Sequence, residues 1–189
     1  MPNTPVIAFG QQPCGFFPRR FLVAKVLTAR RLQQEMGGEI VFFYHDADHD
    51  PRETQTQIRF PEEAIPRVLN FKFVNKTQRK YSPLAAKQIP ADWSENMARQ
   101  LGTVLPAETL TLFRQVKADN VADFCLEIYR KMGILEGTRV VRSSDPAVRL
   151  AACEIDDYFV DVSYEGETVR ARLAQDCFKL HRGGNAFLD

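Results

Sequence analysis

The chain has 189 residues, enough to bury one substantial core and still carry a small appendage. Hydrophobic residues at 44% and charged residues at 26% are the balance of an ordinary globular protein, not of a disordered or fibrous one. A formal net charge of +1 gives no global case for a nucleic-acid or membrane partner, and no apolar run approaches the roughly 18 to 20 residues of a membrane span.

The N-terminus lacks the charged and long apolar regions of a signal peptide. The cysteines, Cys14, Cys125, Cys153 and Cys177, are widely spaced and form no CxxC pair. That argues against a zinc site and fits reduced thiols, so a cytoplasmic location is expected.

The run from Pro5 to Phe9 reads as a fully buried strand, and Gly10 permits a sharp exit. Gln11 and Gln12 follow at once with amide donors and acceptors. A helix is expected from about Phe17 to Met36, with Phe21, Ala29, Leu32 and Met36 on one side. Lys25 falls on that same side, where it must snorkel, pair or serve a site. Arg19 and Arg20 sit near the helix start, opposed to its dipole. A nearby anion would relieve the conflict, and simple solvation is the competing reading.

Ile40 to Tyr44 reads as a second buried strand. His45, Asp46, Asp48, His49 and Asp50 crowd its exit. A divalent metal held by His45, Asp46, Asp48 and His49 would offset the carboxylates, and so would Lys25 or an arginine. His49 between two aspartates suits phosphate contact or acid–base work. The competing reading is a turn whose aspartates cap the backbone. Strand, helix and strand in this order predict a parallel pair, which would bring the two polar exits together at the edge where open α/β sheets bind ligands.

The middle of the chain is less patterned. Short strands are expected within Glu53 to Phe60 and at Phe71 to Val74. The stretch Arg67 to Lys87 is basic, and Lys76 to Ser82 reads either as a solvated face or as a mobile phosphate-binding loop. Three helices follow, marked by Trp93, Met97 and Leu101, by Leu110, Phe113 and Val116, and by Val121, Phe124, Cys125, Ile128 and Met132. Asn120 is a good N-cap for the last and Gly133 a good terminator. Cys125 on that stripe reads as a buried apolar residue.

Thr138 to Arg142 predicts another strand, and Pro146 opens a helix through Ala152. Between them Ser143, Ser144 and Asp145 either join the crevice or cap that helix. In the tail, alternation from Tyr158 to Tyr164 and from Thr168 to Leu173, about Glu165-Gly166, predicts a hairpin, with Phe178 to Leu180 as a third strand. Such a unit could cover a sheet edge or make a homodimer contact.

Gly10-Gln-Gln12, Lys25 thirteen residues after Gln12, and Asp48-His-Asp50 resemble the N-terminal core of the bacillithiol biosynthesis cysteine-adding enzyme family, as does Ser144-Asp-Pro146. The resemblance implies a Rossmann-like, nucleotidyltransferase-type fold, similar to class I synthetases and pantothenate synthetase. It also implies an activity that joins cysteine to a glucosamine–malate acceptor. Gly10, Gln11, Gln12, Lys25, Asp48, His49 and Asp50 would then line the active-site crevice. Ala47 stands where the family has Glu, and Cys14 to Arg20 replaces a small Gly-rich loop.

The expectation is an α/β fold: a Rossmann-like parallel core over 1–153 and a small antiparallel β unit over 154–189. The core would be a ligase or nucleotidyltransferase-like enzyme acting on a small anionic metabolite, with ATP or another nucleotide as cofactor. Lys25, Asp48, His49 and Asp50 would be catalytic. Gly10, Gln11, Gln12, Arg19, Arg20, Ser144 and Asp145 would bind substrate or nucleotide. The alternatives are a metal-dependent hydrolase built on the His/Asp cluster and a noncatalytic relative that binds a metabolite or partner.

Overall fold

A seventeen-residue helix separates the two apolar runs, long enough for a crossover that returns the chain parallel to itself. The computed structural model describes residues 4–153, 160–174, 177–182 and 185–188. In chain order its elements are β1 (Val6–Gln11), α1 (Arg20–Met36), β2 (Glu39–Tyr44), β3 (Thr56–Ile58), β4 (Arg67–Leu69), α2 (Lys76–Tyr81), a 3-10 turn at Leu84–Ala86, α3 (Trp93–Leu101), α4 (Ala107–Gln115), α5 (Val121–Lys131), β5 (Thr138–Arg142), α6 (Pro146–Cys153), β6 (Val160–Tyr164), β7 (Glu167–Ala174), β8 (Cys177–Arg182) and β9 (Asn185–Leu188). The chain divides into two compact units, Met1–Val141 and Arg142–Asp189. No helix among the described residues is long and apolar enough to cross a membrane.

In the first unit β1, β2 and β5 form a three-stranded parallel sheet in that order, with Val6 opposite Glu39 and Gln11 opposite Tyr44. β2 is central and buries Ile40, Val41, Phe42 and Tyr44. β1 was expected to be fully buried. It lies at the sheet edge instead, and Val6 is 58% exposed.

The apolar stripe of α1 also differs from the expectation. Leu22, Val26 and Ala29 are the buried row, while Phe21, Leu32 and Met36 are exposed and Lys25 lies among them. A narrow sheet can cover only one row of a helix, and the row of Leu22 and Val26 sits beside the Phe21 row rather than on it. Gln33 extends the buried row and donates its side-chain amide to Gly38 O at 2.9 Å.

The main core lies between the sheet and α3–α5. Phe16 sits in it with ring centroids 5.0 Å from Phe71, 5.1 Å from Trp93 and 6.1 Å from Phe113, all edge-on. Phe71 stacks on Trp93 at 4.6 Å, and Phe124 closes the group against both. Each fully buried ring contributes on the order of 2 kcal/mol by area, with a further increment from edge-on pairing. Phe71 to Val74 is therefore core wall and connection rather than the expected strand; the antiparallel partner of β3 is β4. Within the basic stretch Lys76–Tyr81 forms α2, with Asn75 as N-cap accepting from Gln78 N.

Phe16 comes from the loop after β1, and that loop is buried. Cys14, Gly15 and Phe16 have no exposed surface to speak of. Their backbone groups find partners inside. Cys14 N donates to Tyr129 Oη at 3.1 Å, and Tyr129 Oη donates to Gly15 O at 3.0 Å. Cys125 Sγ also donates to Gly15 O, and Phe16 N donates to Thr56 Oγ1 at 2.9 Å. Gly15 has φ +105°, and a Cβ there would lie 2.7 Å from Thr56 Oγ1. No other residue fits without strain.

The second unit is antiparallel, with β6, β7, β8 and β9 paired in sequence order. Glu165 and Gly166, both at positive φ, make the tight turn between β6 and β7. Val169 and Ala171 are buried, with Val162 and Tyr164 packed against them, so the alternation read from the sequence holds on this face. β9 was not expected, and Tyr158 lies outside the described residues.

The Tyr129 hydroxyl should be worth more than its contact area. Tyr129→Phe leaves Cys14 N and Gly15 O short of a partner in the core, and a loss of about 2 kcal/mol is expected in the urea unfolding free energy. An unchanged unfolding midpoint would show that the loop does not depend on this hydroxyl.

Candidate functional site

The parallel register places the exits of β1 and β2 side by side. Beyond the last strand pair, His45 N donates to Gln11 O at 3.0 Å, so the two exits are bonded together. Gly10 is required for closeness: a Cβ there would lie 2.9 Å from His45 Nε2.

A continuous polar run crosses this edge. Lys25 Nζ, from the second turn of α1, donates to Gly10 O at 2.8 Å and to Gln11 Oε1 at 3.0 Å. Gln11 Nε2 donates to Gln12 Oε1 at 3.0 Å, and Gln12 Nε2 reaches Asp48 Oδ2 at 3.5 Å. Asp48 Oδ1 accepts the backbone N–H of His49 at 2.6 Å and of Asp50 at 3.2 Å. The His49 imidazole is half exposed, with Nδ1 3.7 Å from Asp48 Oδ1. The run has an ammonium at one end and a carboxylate at the other. Lys25 is exposed and uses two of its three donors on neutral oxygens, leaving one for an incoming anionic oxygen.

Six of the residues named from the sequence thus converge: Gly10, Gln11, Gln12, Lys25, Asp48 and His49. Asp50 belongs to the same loop but turns to Arg52, which it meets at 2.7 Å. The hydrogen bond from that guanidinium holds its carboxyl below the usual carboxylate range, against the opposing effect of partial burial. Asp48 and Asp50 both accept backbone N–H groups from residues just after them, so turn chemistry accounts for part of the aspartate density.

Arg19 is placed elsewhere. Its guanidinium donates to Glu53 O at 3.1 Å and Gln55 O at 2.6 Å, which ties the start of α1 to the segment entering β3. Arg20 is exposed. Ser144 and Asp145 belong to the second unit, where Asp145 Oδ1 accepts Ala147 N and its carbonyl accepts Arg149 N at the start of α6.

Of the residues considered as metal ligands, Asp46 is fully buried and His45 packs edge-on against Phe43, while Asp48 and His49 face the polar run. Among the described residues, no group of three or more His, Cys, Asp or Glu is gathered to hold a metal ion.

Sequence reading missed the support beneath the loop. Leu84 N donates to Asp48 O at 2.6 Å and Ala85 N to Asp46 O at 3.0 Å, so the 3-10 turn carries the loop. Lys87 follows directly and is fully buried. Its ammonium donates to the carbonyls of Gln78, Arg79 and Ser82 at 2.9, 2.9 and 2.6 Å, at the end of α2. The only sequence signal was its setting between Leu84-Ala-Ala and Ile89, which is apolar for a solvated lysine. Burial lowers its pKa to about 8, opposed by the nearby Asp48 and Asp50 carboxylates.

No family model matches the chain, and a comparison with curated proteins finds no match.

Folded Lys87 releases its proton near pH 8, whereas an unfolded lysine does so near about pH 10.4. Between those values the unfolded state binds more protons, so this group's contribution to stability rises with pH. Urea midpoints taken at about pH 8 and about pH 10 should therefore show an upward component in the wild type that is missing in Lys87→Met. Equal pH slopes for the two proteins would contradict the buried, depressed lysine.

Proposed function

We propose that the first unit is the Rossmann-like core of a nucleotidyltransferase-type ligase that binds a small anionic metabolite across the exits of β1 and β2. The observation that carries this reading is the polar run Lys25–Gln11–Gln12–Asp48, drawn from three separate chain segments to one sheet edge. Its position is that of ligand sites in open parallel sheets.

In this reading Lys25 holds an anionic oxygen of the substrate or of an ATP-class nucleotide. Gln11 and Gln12 orient it through their amides. His49, half exposed and with its Nδ1 beside the Asp48 carboxylate, moves a proton, the acid–base role open to an imidazole. Catalysis would be chiefly a matter of position and fixed charge. The resemblance to the cysteine-adding family adds the class of reaction, the joining of an amino acid to a small acidic acceptor.

A second reading has its own observation. The loop after β1 directs Cys14 N and Phe16 N into the core, onto Tyr129 and Thr56, so it does not offer those groups to a phosphate. That favours a metabolite-binding relative that performs no chemistry.

Titration calorimetry with ATP, then with ATP and magnesium, separates the readings. The ligase reading expects saturable binding that weakens about tenfold or more in Lys25→Ala, the cost of one charge-assisted contact. It also expects pyrophosphate or ADP release that falls in His49→Ala without loss of binding. ATP binding that does not respond to Lys25→Ala would remove the assignment. Metabolite binding without turnover would leave the second reading.

A further inference from the structure

A separate groove of about 640 Å³ is lined by residues from the β3 entry segment, β4, the connection after it and α2. That volume is in the range of small-molecule sites. Its apolar wall is Val68, Phe71 and Phe73, and its polar wall is Gln55, Lys76 and Arg79. Phe71 is buried in the core, so Val68 and the half-buried Phe73 supply the accessible apolar surface.

Lys76 and Arg79 are three apart on α2, so they share one face. Both are exposed, and among the described residues neither has a carboxylate partner. Two cations without a carboxylate partner, lining the same groove as an apolar wall, suit a ligand that is anionic at one end and flat at the other.

The backbone around the groove is tied down by hydrogen bonds. Asn70 in the groove lining accepts Thr54 Oγ1 at 3.0 Å and Phe71 N at 2.8 Å, and donates to Pro51 O at 3.1 Å. The end of α2 is held by the Lys87 ammonium. What is left to order on binding is the exposed Lys76 and Arg79 side chains, while the backbone that carries them is already held.

We infer that this groove binds a phosphomonoester bearing an aromatic ring, the phosphate on Lys76 and Arg79 and the ring against Phe73 and Val68 with its edge toward the Gln55 amide. This goes beyond the crevice reading and does not depend on it, since no residue is shared between the two sites.

AMP is the probe. Trp93, the chain's one tryptophan, stacks on Phe71 and gives a local fluorescence signal alongside calorimetry. Saturable AMP binding in the millimolar range or tighter is expected. It should weaken about tenfold or more in Lys76→Ala/Arg79→Ala and stay at the wild-type value in Lys25→Ala. Adenosine and inorganic phosphate should each bind about tenfold more weakly than AMP.

Absence of saturation to about 10 mM AMP would overturn the proposal. So would AMP binding no tighter than phosphate, which would reduce the groove to a patch of charge. Binding lost in Lys25→Ala but kept in the double variant would place AMP in the crevice and also overturn it. Both substituted side chains are exposed, and a thermal melt of each variant checks that the fold is intact.

Discussion

The first unit depends on one buried hydroxyl. Tyr129 Oη takes the N–H of Cys14 and gives its proton to the carbonyl of Gly15, which lets a polar loop enter an aromatic core without leaving its backbone unpaired. Burial pushes the Tyr129 phenol well above its ordinary pKa and raises the Cys125 thiol far above its own. Both therefore stay protonated at neutral pH, and each remains a donor to Gly15 O. With the loop so placed, Phe16 becomes the centre of the aromatic group, and the chain can leave β1 at Gln11 and enter α1 at Arg20 at fixed points.

A second constraint acts below the β2 exit. The loop from His45 to Asp50 has no regular structure to fix it, yet its carbonyls at Asp46 and Asp48 are held by the 3-10 turn. Lys87 extends that turn in two directions. Its ammonium gathers the last carbonyls of α2, and its carbonyl accepts Val121 N at the start of α5. Burying an ammonium is costly, and its depressed pKa is the measure of that cost. Three carbonyl acceptors at a helix C-terminus, with two carboxylates nearby, offset enough of it to keep the side chain inside. The crevice and the groove consequently share a frame without sharing a residue.

Much of this was legible in the sequence where a local pattern had only one outcome. The parallel pairing followed from two apolar runs and one helix of crossover length. α5 followed from its stripe and from Asn120, whose side chain does accept Asp123 N. The convergence of Gln11, Gln12 and Asp48 followed from the pairing, and Lys25 was placed with them by the resemblance. What failed to show was whatever depends on the neighbours. The rows of Phe21 and Leu22 on α1 are adjacent and both apolar, so only the extent of the sheet decides which is buried. Phe71-Lys-Phe has the alternation of a strand, but the aromatic core claims Phe71 and β4 forms earlier. Lys87 resembles its basic neighbours until the carbonyls around it are known. Asp145 is ambiguous by type, and its bond to Ala147 N shows the cap.

The cations of the first unit can be sorted by what they donate to. Arg19 binds two carbonyls near β3, Arg30 donates to the carbonyls of Ile134 and Glu136 beyond α5, and Lys87 binds three at the end of α2. In each case a long side chain closes a gap between segments by satisfying backbone oxygens that regular structure leaves open, and the charge serves the fold. Lys76 and Arg79 do none of this. Lys25 stands between the two groups. It orders Gly10 and Gln11, which is a structural task, but its acceptors are neutral and the nearest carboxylate of the run is two glutamines away. Lys25 is thus an exposed charge at a sheet edge, held by neutral dipoles rather than by a carboxylate. On that ground the crevice at Lys25 and the groove at Lys76 and Arg79, and not the more numerous arginines of the surface, carry the two proposals for anionic ligands.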